Sequence, residues 1–289
     1  MRFFINDVFA ERRYAGNQLA TFLDCDGLEG AEMLRIAKEI GFSETTFVTG
    51  LEEKNGGYDV RIFTPGREVD FAGHPTLGTA YVIRNVVARD RPQRIVLNLK
   101  VGQVPVDLNE DGMAWMRQVP PRFGKDLERN EVARVLSLTP DAIDHRWPIQ
   151  EVSTGFPHII VPLLGIKALR KVSIDRERYF KLVKGAWAEN ILVFCMEGQE
   201  EGQDLSVRVF PIAHGIPEDP ATGSGNGCLA AYLSRHRCLG STDVDVKVGQ
   251  GYEIGRPSTL HLKAGEVGGG IEVNVGGRVV PVSSGTWNI

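Results

Sequence analysis

Apolar and polar positions along this chain follow a strand-like rhythm more often than a helical one. The segments ETTFVTG (44–50), GYDVRIFTP (57–65), RIVLNLKVGQVPVDL (94–108), EVSTGFPHIIVPL (151–163) and NILVFCME (190–197) each read as a strand. Helical spacing is confined to shorter stretches. In EGAEMLRIAKEIGF (29–42), Met33, Leu34, Ala37 and Ile40 share one face, and Gly41 is a fitting stop. DLERNEVARVLSL (126–138) and DRERYFKLVKGA (175–186) predict short amphipathic helices. Pro120-Pro121 marks a boundary near mid-chain, and Gly276-Gly277, between IEVNV and RVVPV, predicts a hairpin turn.

The pattern also repeats. RIFTP (61–65) is followed by DFAGHPTLGTAYVI (70–83); about half a chain later, RVFPI (208–212) is followed by EDPATGSGNGCLAAYL (218–233). Each copy gives a strand, a loop, a Gly-rich turn and a helix of small and apolar residues ending near a tyrosine. The same four-part order twice points to a duplicated domain. A helix that is apolar on every side belongs inside a core, so each half is expected to be a rolled sheet around one central helix.

Composition agrees with two domains and narrows the partners. The chain has 289 residues, 42% hydrophobic and 24% charged, enough for two cores. Its 33 basic and 37 acidic residues leave a net charge of −4 with no block of one sign. Neither nucleic acid nor a membrane surface is expected as a partner. The opening MRFFINDVFAERR is broken by Asp7 and Glu11, unlike a signal peptide, and IIVPLLGI (159–166) is far too short to span a bilayer. Cys25, Cys195, Cys228 and Cys238 form no CxxC, which fits a reducing cytoplasm.

The two turns carry the candidate chemistry. The first N–H groups of a helix lack internal partners, and the helix dipole makes that end attractive to anions. Pro75 suits the first helical position, and Gly73, Gly223, Gly225 and Gly227 let backbone approach a ligand. Two such ends facing a cleft would hold a small carboxylate. His74 is either a satisfied loop histidine or a proton carrier. Asp219 is either a turn-forming residue or the group that keeps His74 charged or oriented, and Ser224 either caps or binds. Glu44, where the first helix gives way to a strand, is either a solvated surface group or a carboxyl whose partial burial suits a proton shuttle. Other chemistries find no support. GSGNG is not GxGxxG, and neither GxxxxGK[ST] nor GxSxG occurs. Histidines 74, 145, 158, 214, 236 and 261 lack metal-ligand spacing, so no metal is expected.

GNQLATF (16–22), SETTFV (43–48), FAGHPTLGTAYV (71–82), STGFPHIIVPL (153–163), EDPATGSG (218–225) and GRPS (255–258) together resemble the phenazine-biosynthesis isomerase-like (PhzF) family over nearly the whole chain. The resemblance implies the α+β fold of diaminopimelate epimerase, with two pseudo-symmetric halves, each a rolled mixed sheet around a central helix. The halves are expected at 1–115 plus the C-terminal strand 278–289, and at 116–277, with the active site in the cleft between them. It further implies a homodimer without a cofactor. Glu44 matches the family's general acid/base, His74 and Asp219 its supporting polar residues, and Gly73 and Ser224 residues lining the substrate site; Gly223 and Gly225 join them as backbone contacts. In amino-acid epimerase relatives each helix-end loop carries a catalytic cysteine, where this chain has Ala72 and Thr222. GSGNG also departs from the family's frequent GSA. The implied reaction is proton abstraction and redelivery on a small amino or cyclic carboxylate, as in dihydro-hydroxyanthranilate isomerisation. An amino-acid epimerase and a non-catalytic binding protein are the alternatives.

Overall fold

A computed structural model describes residues 1–288. The first elements are β1 (Arg2–Val8), β2 (Asn17–Leu23), α1 (Gly30–Ile40), β3 (Glu44–Val48), β4 (Tyr58–Phe63), β5 (Glu68–Val69) and α2 (Gly73–Val82). Next come β6 (Arg94–Leu99), β7 (Gly102–Leu108), β8 (Met113–Arg117), β9 (Arg122–Asp126), α3 (Arg129–Val135), β10 (Gln150–Ser153) and β11 (Pro157–Pro162). The chain then forms α4 (Ile166–Lys171), α5 (Arg176–Val183), β12 (Asn190–Cys195), β13 (Leu205–Phe210) and α6 (Gly223–Arg235). It finishes with β14 (Val244–Gln250), β15 (Ser258–Val267) and β16 (Gly270–Thr286). Two compact units result: Met1–Arg117 with Gly276–Ile289, and Gln118–Val275. No helix among the described residues is long and apolar enough to cross a membrane.

In the first unit the strand order is β1-β2-β3-β4-β6-β7-β8-β16, and β16 returns to pair with β1, closing a mixed barrel. The pairs β2–β3 and β4–β6 are parallel; β1–β2, β3–β4, β6–β7, β7–β8 and β1–β16 are antiparallel. A parallel pair needs a crossover, and α1 supplies the one between β2 and β3. Its buried face, Met33, Ile36 and Ala37, packs on Phe22, Phe47 and Phe63, and Gly41 ends it in the left-handed region at φ 71°. The connection between β4 and β6 runs inside the barrel as α2, which touches β1, β2, β3, β6, β7 and β8. Its residues from Gly73 to Ala80 are all buried. Gly78 permits the fit: a Cβ there would lie 2.5 Å from Leu19 Cδ2 and 2.9 Å from Val8 Cγ2.

The second unit repeats this plan. Its order is β9-β10-β11-β12-β13-β14-β15, followed by the first part of β16. Again β10–β11 is antiparallel, β11–β12 parallel, β12–β13 antiparallel, β13–β14 parallel and β14–β15 antiparallel. The central helix α6 again lies between the two parallel strands in sequence and touches β10, β11, β14 and β15. Even the approach to each helix matches, since β5 pairs with β4 and Asp219 bridges to Val209 of β13. Outside the roll, α3, α4 and α5 pack on the core cluster that includes Ile159, Val161, Ile191 and Val193. Two pseudo-symmetric halves, each a rolled mixed sheet around a central helix, make this an α+β fold.

Several local expectations change. RIVLNLKVGQVPVDL is a hairpin, β6 and β7, joined at Lys100-Val101. EVSTGFPHIIVPL likewise breaks at Gly155, which takes φ 122°. The helices begin at Gly73 and Gly223, so Pro75 is the third helical residue rather than the first; its missing N–H still falls among those with no partner in the helix. Gly276-Gly277 is no turn. Both lie inside β16, and the hairpin is made by Gly268 and Gly269 at φ 58° and 83°. The strand glycines answer a packing need instead: a Cβ on Gly276 would sit 2.5 Å from the Trp115 indole, and one on Gly277 would collide with Phe9.

Gly277→Ala is expected to destabilise the protein by about 1–3 kcal/mol through this overpacking, read as a lower urea midpoint. Trimming the obstacle in Gly277→Ala/Phe9→Leu should restore part of that loss. Equal midpoints for parent and Gly277→Ala would show that the Phe9 contact does not explain the glycine.

Candidate active site

Glu44 is the first residue of β3, aligned with Leu19 of β2, and its side chain is 18% exposed. His74 is the second residue of α2, with its side chain 6% exposed. The two meet, Nε2 of His74 lying 3.5 Å from Oε2 of Glu44. Nε2 has no hydrogen-bond partner, so the ring's bond to the Gln18 backbone uses Nδ1 as donor. That fixes the tautomer: Nε2 turns a lone pair toward the carboxyl.

A second rung holds the pair in register. Thr79 Oγ1 donates to Thr46 Oγ1 at 2.8 Å, and Thr46 donates to Thr21 at 3.0 Å, all three being fully buried. From His74 to Thr79 a helix rises about 7.5 Å, and from Glu44 to Thr46 a strand advances about 6.7 Å. The near match lets α2 and β3 run side by side with both rungs made.

Burial also sets the charge. Desolvation pushes the His74 pKa down to about 3, outweighing the opposing effect of the Gln18 bond, so the ring is neutral at physiological pH. A neutral ring departs from the expectation that His74 is kept charged; Glu44 is a carboxyl that lies against it.

In the second unit, Thr222 is the N-cap of α6, as Ala72 is of α2. The Asp219 carboxylate accepts from the Thr222 hydroxyl, so it bonds the N-cap residue itself. Gln250, at the end of β14, ties the loop down. Its Oε1 accepts from Thr222 N at 3.2 Å and Asn226 Nδ2 at 2.8 Å; its Nε2 donates to the Asp219 carbonyl at 2.8 Å and Thr222 Oγ1 at 3.0 Å. Ser258 Oγ donates to the Pro220 carbonyl at 2.8 Å. Sequence reasoning missed Gln250, although the neighbouring Gly251, at φ 79°, marked a tight turn there. Gly223 and Ser224 form the first turn of α6, Gly223 buried and Ser224 half-buried.

At Gly225 the structure supplies a packing reason for glycine as well. A Cβ there would lie 3.1 Å from His158 Nε2 and 3.2 Å from Leu192 Cδ1, so this glycine makes room for the protein's own side chains. Cys228 is fully buried, 3.8 Å from His158 Nδ1 and 3.6 Å from Thr154 Oγ1. Burial raises its thiol to about 11 and lowers His158 to about 4, leaving both neutral and Cys228 a core residue.

A carboxyl against a neutral imidazole is an arrangement able to hold and pass on a proton. A family model described as phenazine biosynthesis-like protein matches residues 6–285. The trans-2,3-dihydro-3-hydroxyanthranilate isomerase of Pseudomonas aeruginosa is 34% identical over 96% of each chain. A crystal structure of a phenazine biosynthesis protein of the PhzF family from Bacillus anthracis superposes with a TM-score of 0.91 at 28% identity, covering 100% of this chain and 99% of that one. A probable proline racemase from Agrobacterium radiobacter shares the fold at 11% identity, with a TM-score of 0.58 over 100% and 93% of the chains. The chain belongs to the phenazine biosynthesis-like family, and it is an isomerase.

The two buried histidines predict acid sensitivity. Each takes up a proton near 6.5 once unfolded, but in the folded chain only near 3 for His74 and 4 for His158. Between those values the unfolded state holds more protons, so stability is full above about pH 7 and falls with acidification. The unfolding free energy should drop by about 1–3 kcal/mol per pH unit between pH 6 and 4. His74→Asn should flatten that slope. A level profile from pH 7 to 4 would mean that both rings titrate freely.

Proposed function

We propose that this isomerase shifts a double bond in a small carboxylate by moving one proton, with Glu44 as the carrier. As a carboxylate, Glu44 removes a proton from carbon next to an unsaturated or electron-withdrawing group. The C–H electron pair moves into the conjugated system, and the protonated Glu44 delivers the proton to another carbon on the same face. The observation that carries this reading is the 3.5 Å approach of Glu44 to a neutral His74. Nε2 accepts from the acid form of Glu44 and so favours the stage at which the carboxyl holds the proton.

We assign the substrate carboxylate to the first turn of α6, at Gly223 and Ser224, where backbone N–H groups lack helical partners; the first turn of α2, at Gly73, offers the same kind of groups in its own unit. Asp219 is a positioning residue acting through Thr222. The isomerase relatives named for trans-2,3-dihydro-3-hydroxyanthranilate support a cyclic amino carboxylate as the substrate class. Two-thiol epimerisation has no support, because the N-cap positions hold Ala72 and Thr222. A homodimer in the cytoplasm completes this reading; the four free cysteines support the compartment, and sedimentation analysis tests the assembly.

Glu44→Gln keeps the size of the side chain but cannot carry the proton. It should fold normally, retain carboxylate affinity and lose turnover by about two to four orders of magnitude, followed as hydrogen–deuterium exchange at substrate carbon in heavy water. His74→Ala should lose less, since the carrier remains. Exchange at the parent rate in Glu44→Gln would overturn the assignment and put the proton on another group, whereas no exchange in the parent itself would favour a binding protein.

A further inference from the structure

Gln118 opens the second unit, and its backbone N–H is fixed to the Val273 carbonyl at 2.9 Å. Its side chain is buried, 6% exposed, yet neither the amide oxygen nor the amide nitrogen has a hydrogen-bond partner. A buried carboxamide with nothing to bond is unfavourable, and an apolar side chain of the same length would fill the space without that penalty.

The surroundings are built for this amide. It lies against Gly227 of α6, where a Cβ would come within 3.1 Å of both Gln118 Cγ and Oε1 and within 2.8 Å of Thr154 Oγ1. Glycine is therefore what admits both polar side chains to the helix surface. Thr154 is itself buried, and its hydroxyl meets only the Cys228 sulfur, at 3.6 Å. A sulfur at that distance is a weak partner. Gly227 stands three residues after Ser224, on the same helix face, about 6 Å along the axis from Gly223. The residues that follow Gln118 and Thr154 open outward: Val119 is 53% exposed and Phe156 41%.

We infer that Gln118, with Thr154, forms a subsite that selects substrates carrying a neutral hydroxyl or amino substituent on the body of the carboxylate. The amide offers an acceptor oxygen and two N–H donors, and the threonine hydroxyl offers both. Such a group, one helical turn from the carboxylate end, meets the bonds the free protein leaves unmade. Gln118 is thus a specificity-determining residue. This rests on the proposed carboxylate site at the start of α6 and adds the feature that site reads next.

The test uses Gln118→Met, of like length and without polar atoms, and calorimetry with benzoate, 3-hydroxybenzoate and 2-aminobenzoate. The parent should bind at least one substituted acid about tenfold more tightly than benzoate. Gln118→Met should lose that preference, keep its benzoate affinity and melt at a higher temperature without ligand. If the parent binds none of the three, the carboxylate reading fails and takes the subsite with it. If the parent binds all three alike, if Gln118→Met keeps the preference, or if its melting temperature falls, the subsite alone is wrong. A fall would mean that the amide is satisfied in the free protein, by ordered water.

Discussion

Each unit is organised by a helix that cannot tolerate water on any side. Residues Gly73 to Ala80 of α2 are buried around the full circumference, and α6 is buried from Gly225 to Ser234. One flat sheet covers only one side of a helix, so the strands must curl around it. The parallel pairs β4–β6 and β13–β14 follow, since a crossover through the interior brings the chain back in the same direction. The wrapping reaches the first turn of each helix, leaving His74 buried in one unit and Ser224 half-buried in the other. The position of the chemistry is thus a consequence of packing.

Much of this was legible in the residues. Two all-apolar helices behind matching strand–turn units disclosed the duplication, and α1 showed its buried stripe and stop glycine. The candidate residues were recognisable by type and neighbourhood, but their pairing was not. His74 meets Glu44 because β3 and α2 lie side by side at a particular axial offset, set by Thr46 and Thr79. Nothing local to GHPT encodes that offset. Gln250 and Gln118 escaped notice for the same reason, since each meets the region around α6 from a remote segment. Gly276-Gly277 misled because a glycine pair looks alike whether it bends a chain or yields space to an aromatic ring. Only the location of Trp115 and Phe9 distinguishes the two.

The two helix ends are also chemically unequal. The first places an ionisable carboxyl beside an imidazole that burial keeps uncharged. The second surrounds its opening turn with amides and hydroxyls from Gln250, Asn226 and Thr222, with Asp219 tied to the cap. A duplicated scaffold thereby separates its tasks. One copy sets an ionisable carboxyl beside an imidazole, while the other keeps fixed hydrogen-bonding directions. The thiol of Cys228, held protonated in the core, takes no part in either.

The closing strand of the first unit has a consequence for synthesis. The barrel around α2 is sealed where β16 pairs with β1, Arg2 opposite Thr286 and Val8 opposite Val279, and Trp287 N–H donates to the Met1 carbonyl. The N-terminal unit, translated first, must therefore wait with an open seam while the whole of the other unit leaves the ribosome. During that interval β1 has only β2 beside it. A chain cut anywhere before β16 would therefore leave the barrel around α2 open along β1.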